Sequence, residues 1–212
     1  MTHFTEEMTK LKETILAMAS HAESAVARAM RSLVERDDAL ALKVQADDNI
    51  IDQFEIEIDD IAIHLLAKAP LATELRLITV AMKISQNLER VGDEACSIAR
   101  RAHDLNTEPQ LKPYIDLPRM ATMSLEMLRD ALTAFIERQP DKDVDDLNRQ
   151  LHRELSSYMV ERPTTITRCL NLMVISKCLE RIADHATNVA EEVVYLYEAK
   201  DIRHSAQKLN EA

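Results

Sequence analysis

The sequence predicts an all-α protein built as two tandem, structurally similar three-helix bundles, elongated in outline. Three observations predict it. The first is composition: 1 glycine and 6 prolines in 212 residues, few aromatics, and an abundance of Ala, Leu, Ile, Met, Glu and Asp. A chain so poor in breakers and so rich in good helix formers favours helix almost everywhere. The second is a repeat. Leu88-Glu89-Arg90-Val91-Gly92-Asp93 returns 91 residues later as Leu179-Glu180-Arg181-Ile182-Ala183-Asp184. The match continues upstream, Met82-Lys83-Ile84 against Met173-Val174-Ile175, and downstream, Ala95, Ile98 and Ala99 against Ala186, Val189 and Ala190. A repeat of this size is the signature of a duplicated unit. The third is punctuation: Pro70 and Pro163 stand at matching places, each just before the long helical pattern that carries the repeated phrase.

The elements follow in order. A first helix runs from about Thr5 to Glu35, with Leu11, Ile15, Met18, Ala22, Ala25, Ala29 and Leu33 on one stripe. A second runs from about Asp38 to Lys68, stopping before Pro70, with Asp38 as a candidate N-cap. A third runs from about Thr73 to His103. A looser stretch with Pro109, Pro113 and Pro118 follows, the natural linker. The fourth helix runs from about Leu117 to Arg138, the fifth from about Asp141 to Glu161 and the sixth from about Thr164 to Lys200, with Pro140 and Pro163 as stops. The halves are therefore residues 1–105 and 117–212, joined by 106–116. Three antiparallel helices can share one apolar seam. Helices of about 30 residues are about 45 Å long, so two bundles packed lengthwise give an elongated molecule.

The chain carries 37 acidic against 26 basic side chains, a formal charge of -11. That field opposes nucleic acid and anionic membrane and suits cations or a basic patch on a protein. No uncharged stretch approaches the roughly 20 residues of a membrane span. The amino terminus, with Glu6 and Glu7, lacks a signal-peptide pattern. Cys96, Cys169 and Cys178 make no complete disulfide framework, so reduced thiols and a cytoplasmic protein are expected.

The chemistry sits in the acids. On a helical wheel centred on Glu89, the residues Leu77, Ala81, Ile84, Leu88, Val91, Ala95, Ile98, Ala99 and Ala102 form a core stripe. Glu89, Asp93, Cys96, Ser97 and Arg100 share another face, as do Glu180, Asp184, Thr187, Asn188 and Glu191 in the second copy. Each Glu-x-x-x-Asp pair is thus expected on the outside of its helix. The second helix adds Asp48, Asp52, Glu55 and Asp59 in steps of 4, 3 and 4, and the corresponding line in the second half is Asp141, Asp145, Asn148 and His152. Like charges one turn apart cost a few tenths of a kcal/mol per pair, and hard cations that prefer oxygen ligands would offset that. A single acidic pair on a helix is usually just a solvated face; its duplication, with a matching stripe on a second helix, is what points to ligation. His185 is a further candidate ligand, although a lone histidine more often packs or hydrogen-bonds. Arg90 and Arg181 are expected to pair with carboxylates. Gly92, costing about 1 kcal/mol in mid-helix, signals close approach of another helix. The methionines read as core filler. No Gly-rich phosphate loop, Cys-x-x-Cys, His-Glu-x-x-His or Glu-x-x-His occurs, which counts against phosphate-loop and di-iron enzymes.

The repeated Leu-Glu-Arg-[Val/Ile]-[Gly/Ala]-Asp, and above all the run from Leu179 to Glu191, resembles the PhoU family of bacterial phosphate-signalling proteins. The resemblance covers the whole chain, although Ser97 stands where the family usually has Asn. It implies two side-by-side three-helix bundles whose Glu-x-x-x-Asp motifs hold iron, zinc or other divalent cations in some members. By position these are Glu89 with Asp93 and Glu180 with Asp184, with Asp48, Asp52, Asp145 and Asn188 as further ligands. It implies a non-enzymatic adaptor between the phosphate ABC transporter, through its ATPase, and a sensor histidine kinase. Such an adaptor suppresses phosphate-starvation signalling, is commonly a homodimer, and meets the inner membrane only through its partners. A paralogue wired to persistence or metabolism, and a carboxylate-metal enzyme, are the alternatives.

Overall fold

The computed structural model describes residues 3–68, 71–137 and 163–199. All regular elements among these residues are helical. They are α1 (His3–Val34), α2 (Asp38–Ala46), α3 (Asp48–Leu66), α4 (Ala72–Asn106), α5 (Asp116–Glu137), a 3-10 turn at Pro163–Thr165 and α6 (Ile166–Glu198). The predicted fifth helix, with Asp141, Asp145, Asn148 and His152, lies outside the described residues.

The predicted seam of α1 is buried at all seven positions, from Leu11 to Leu33. At its end Arg36 takes a left-handed φ of 57°. Its guanidinium donates to the backbone oxygens of Asn106 and Glu108 at 2.6 and 2.7 Å, so it satisfies the last carbonyl of α4 and one in the segment just after it. The N-cap of α2 is Asp37, whose carboxylate accepts from the Leu40 N–H at 2.9 Å. Asp38, expected in that role, instead accepts from the Asn106 side chain at 2.8 Å.

The single helix expected over 38–68 is two, broken at Asp47. Asp47, Asp48 and Asn49 are weak helix formers in sequence. The Asp47 carboxylate turns to Arg28 of α1 at 2.5 Å, and this ion pair pins the break. The break lets α2 and α3 each lie against both α1 and α4.

Helix α4 is the axis of the molecule: it packs on α1, α2 and α3 along one side and on α6 along the other. The single predicted stripe is therefore too narrow. Ile78, Val80, Gly92 and Cys96 are buried in addition to its residues from Ala81 to Ala102. A Cβ on Gly92 would stand 2.8 Å from Ile51 Cδ1 and 3.6 Å from Asp48 Oδ1, so the glycine marks the close approach of α3. Helix α6 is likewise enclosed, by α4 and by α5, which explains why both Cys169 and Cys178 are buried although nine residues apart on opposite sides. All three thiols are free.

The two halves join where α4 and α6 run antiparallel. Lys83 meets Glu192 at 2.9 Å, Asn87 meets His185 at 3.0 Å and Glu94 meets Arg181 at 3.1 Å, in reverse order along the partner helix. Arg76 and Lys83 both lie against the Tyr195 ring. Arg129 of α5 reaches Glu23 of α1 at 2.6 Å and ties the second half to the first. At 35 and 33 residues α4 and α6 are each about 50 Å long, which sets the elongated form.

Candidate functional site

In the first half the stripe of α3 lies beside the motif of α4. Burial raises the Asp48 carboxyl above its ordinary value, and the charges of Asp52 and Asp93 push the same way, opposed by a hydrogen bond with Cys96. Burial raises Glu55 as well, reinforced by Asp59 and Asp52. Glu89 is raised by burial and then by Asp93, with Arg90 opposing. The two elements thus concentrate carboxylates that disfavour one another's ionisation. The Cys96 thiol beneath them, 3.7 Å from the Val44 carbonyl oxygen, is pushed up to about 12 by burial and by Asp48. In the metal-free protein it stays protonated and packs in the core.

The motif residues are not equally outward. Asp93 is about half exposed, whereas the Glu89 side chain is only 20% exposed because α3 leans over it. Arg90 lies 3.3 Å from both carboxylates, as expected. In the second copy Glu180 is 21% exposed and accepts from Lys177 at 2.7 Å, while Asp184 is exposed. As the side chains stand, no three acidic, histidine or cysteine groups among the described residues converge on one point able to hold a metal ion. The acids of the first half form a line, not a cage.

The sequence treats the two motifs as separate sites, one per half. The fold sets them against each other across the α4–α6 seam. Arg90, Asp93 and Glu94 of α4 and Arg181, Asp184 and His185 of α6 line one open groove of about 640 Å³. Glu94, which sequence reasoning passed over, is its anchor: only 12% of its side chain is exposed, and it accepts from Arg181. It also faces Cys178, whose thiol burial pushes well up. His185 is half-buried. The Asn87 amide nitrogen donates to the Lys83 carbonyl at 2.9 Å, so its oxygen must be the atom 3.0 Å from His185 Nδ1. His185 therefore carries its proton on Nδ1 and leaves Nε2 as an acceptor. Burial lowers its pKa, with Glu94 and Asp184 opposing. Asn188, expected on the outward face, is exposed there, and its amide nitrogen donates to Asn87 Oδ1 at 3.4 Å. A signal for Glu94 was present: the duplication puts Glu94 and His185 at equivalent positions, a break in an otherwise close repeat.

This arrangement of duplicated bundles recurs in known proteins. The PhoU domain model matches the chain twice, over residues 15–102 and 117–193. The chain belongs to the PhoU family. A Pseudomonas putida relative, a phosphate-specific transport system accessory protein PhoU homolog, is 38% identical over 97% of this chain and 84% of its own length. An Aquifex aeolicus relative of the same description is 38% identical over 94% of this chain and 95% of its own. The crystal structure of PhoU from Pseudomonas aeruginosa superposes with a TM-score of 0.83 at 34% identity, covering 93% of this chain and 100% of that one. The Streptococcus pneumoniae phosphate transport system regulatory protein PhoU gives 0.86 at 27% identity, over 94% and 99%. No helix among the described residues is long and apolar enough to cross a membrane.

Proposed function

We propose that this PhoU-family chain is a negative regulator of phosphate-starvation signalling and phosphate uptake. It acts in the cytoplasm as an adaptor between the phosphate ABC transporter ATPase and a sensor histidine kinase. Family membership carries the reading, through relatives described as accessory and regulatory proteins of phosphate transport. The physical support is a long double-bundle surface with charged faces, suited to binding. The activity is contact, not turnover, and the two repeats divide at 106–116. Deleting the gene should derepress a phosphate-starvation reporter in rich phosphate. A reporter that stays silent there would reject the reading in favour of a paralogue serving another pathway.

Within that reading Glu89 and Asp93, with Asp48 and Asp52, would hold a hard or borderline divalent cation, iron or zinc included. Glu180 and Asp184, with Asp145 and Asn188, would do so in the second half. The fit is best in the first half, where burial and then neighbouring acids raise Asp48, Glu55 and Glu89, and a cation would favour their ionised forms. A bound ion would supply charge neutralisation and draw the line of carboxylates together. Calorimetry with manganese, iron(II) and zinc should show binding that weakens at least tenfold in Glu89→Gln/Asp93→Asn. Unchanged binding would remove these residues from the ligand set.

A further inference from the structure

The outer ridge of α3 combines an apolar pair with a strong negative charge. Its core side is fixed by Ile51, Ile58, Ala62 and Leu65, all buried. At 100° per residue, Ile56 and Ile63 point roughly 130 to 150° away from that direction. They are 56% and 59% exposed, among the most exposed large apolar side chains of the described residues. Seven residues apart, they stand two turns and about 10 Å from one another on one line. That is the spacing with which a helix offers a seam to a second helix.

The second feature is charge. Helix α3 carries six acids and neither Lys nor Arg. Asp52, Glu55 and Asp59 flank the isoleucines on the α4 side, and Asp60 lies between them on the ridge. On α4, the exposed Arg90 is engaged by Glu89 and Asp93, and Arg100 acts on Asp48 at the start of α3. On the other flank Lys10 of α1 is taken by Glu57 at 3.1 Å.

We propose that this ridge docks a cationic amphipathic helix of a different protein, with Ile56 and Ile63 as apolar anchors. The acids exclude the other occupants. A second copy of this chain would bring six more acids of the same sign onto the seam, and like charges facing each other oppose association. An anionic membrane would be repelled for the same reason. A helix with apolar residues seven apart, bordered by Lys or Arg, satisfies both features. The proposal refines the adaptor reading, on which it rests, by naming the surface and the kind of segment that meets it.

The test uses the full chain in metal-free buffer at about 0.15 M salt, where long-range attraction is screened. Fluorescence anisotropy compares a labelled 20-residue leucine–lysine peptide, apolar along one helical face, with a scramble of the same composition. The amphipathic peptide should bind at least tenfold more tightly. Ile56→Ser/Ile63→Ser, which touches no core residue, should abolish that preference, and Leu16→Ser on α1 should preserve it. Equal binding of the two peptides would overturn the proposal, as would full binding by the double variant or equal loss in Leu16→Ser. Sedimentation that shows a dimer dissolved by Ile56→Ser/Ile63→Ser would also overturn it, in favour of a second copy. If these tests fail while the deletion strain is still derepressed, the surface is wrong and the adaptor reading stands.

Discussion

The two copies of the motif began as one sequence and now sit in different electrostatic settings. In the α4 copy, Arg90 stays within its own half and lies between Glu89 and Asp93. In the α6 copy, the equivalent Arg181 reaches across the seam to Glu94. The difference traces to one pair of equivalent positions. Glu94 offers Arg181 a carboxylate, whereas its counterpart His185 offers Arg90 a half-buried neutral ring bonded to Asn87. The duplication conserved the core and let the polar seam diverge. An antiparallel pair of duplicated helices brings each motif against its twin, so one substitution is enough to make the seam asymmetric.

The likeness of the two halves is most open to test in the core. Leu88 and Leu179 are equivalent and fully buried. Leu88→Ala and Leu179→Ala should each lose about 2–5 kcal/mol by chemical denaturation. A gap above about 2 kcal/mol between them would show that the halves are not packed alike.

A smaller effect is expected at the seam. A double-mutant cycle on Glu94→Gln and Arg181→Gln should give a coupling of about 1 kcal/mol, since the carboxylate is nearly buried but the arginine is 56% exposed. The same cycle on Arg90 and His185 should give close to nothing near neutral pH. Comparable couplings would erase the asymmetry.

The smallest effect is a slope with pH. Asp48, Glu55 and Glu89 have raised folded-state values, so the folded protein holds more protons than the unfolded chain above the ordinary carboxyl range. Stability from these groups therefore falls as pH rises from about 4 through their raised values. His185 is lowered, so its contribution runs the other way and is lost as pH falls below its ordinary 6.5. In urea titrations across pH 4–7 without metal, Glu89→Gln should flatten the acid-side decline and leave the histidine limb in place. A profile identical to wild type would mean that the crowding at Glu89 has no energetic weight.

Much of this was legible before the fold. The all-helical class, the seam of α1, the pairing of Arg90 with its neighbouring acids and the packing role of Gly92 follow from composition, period and a single anomalous glycine. Those signals are local, and a helix obeys local rules. The break at Asp47 was half legible in the Asp-Asp-Asn run, but the partner that holds it, Arg28, lies nineteen residues away. Asp37 displaced Asp38 as cap because the α1–α2 turn, set by the left-handed Arg36, decides which side chain faces the free N–H groups.

The sequence alone establishes two copies of a helical unit with a Glu-x-x-x-Asp pair on each motif helix. Tertiary structure decided which of those carboxylates stay outward. A helical wheel knows one axis and one core. When α4 is enclosed by α1, α2 and α3 on one side and α6 on the other, its buried arc widens to take in Cys96 and most of Glu89. The meeting of Glu94 with Arg181 depends on the antiparallel register of two helices whose motifs lie 91 residues apart, and no periodicity within either helix encodes that register.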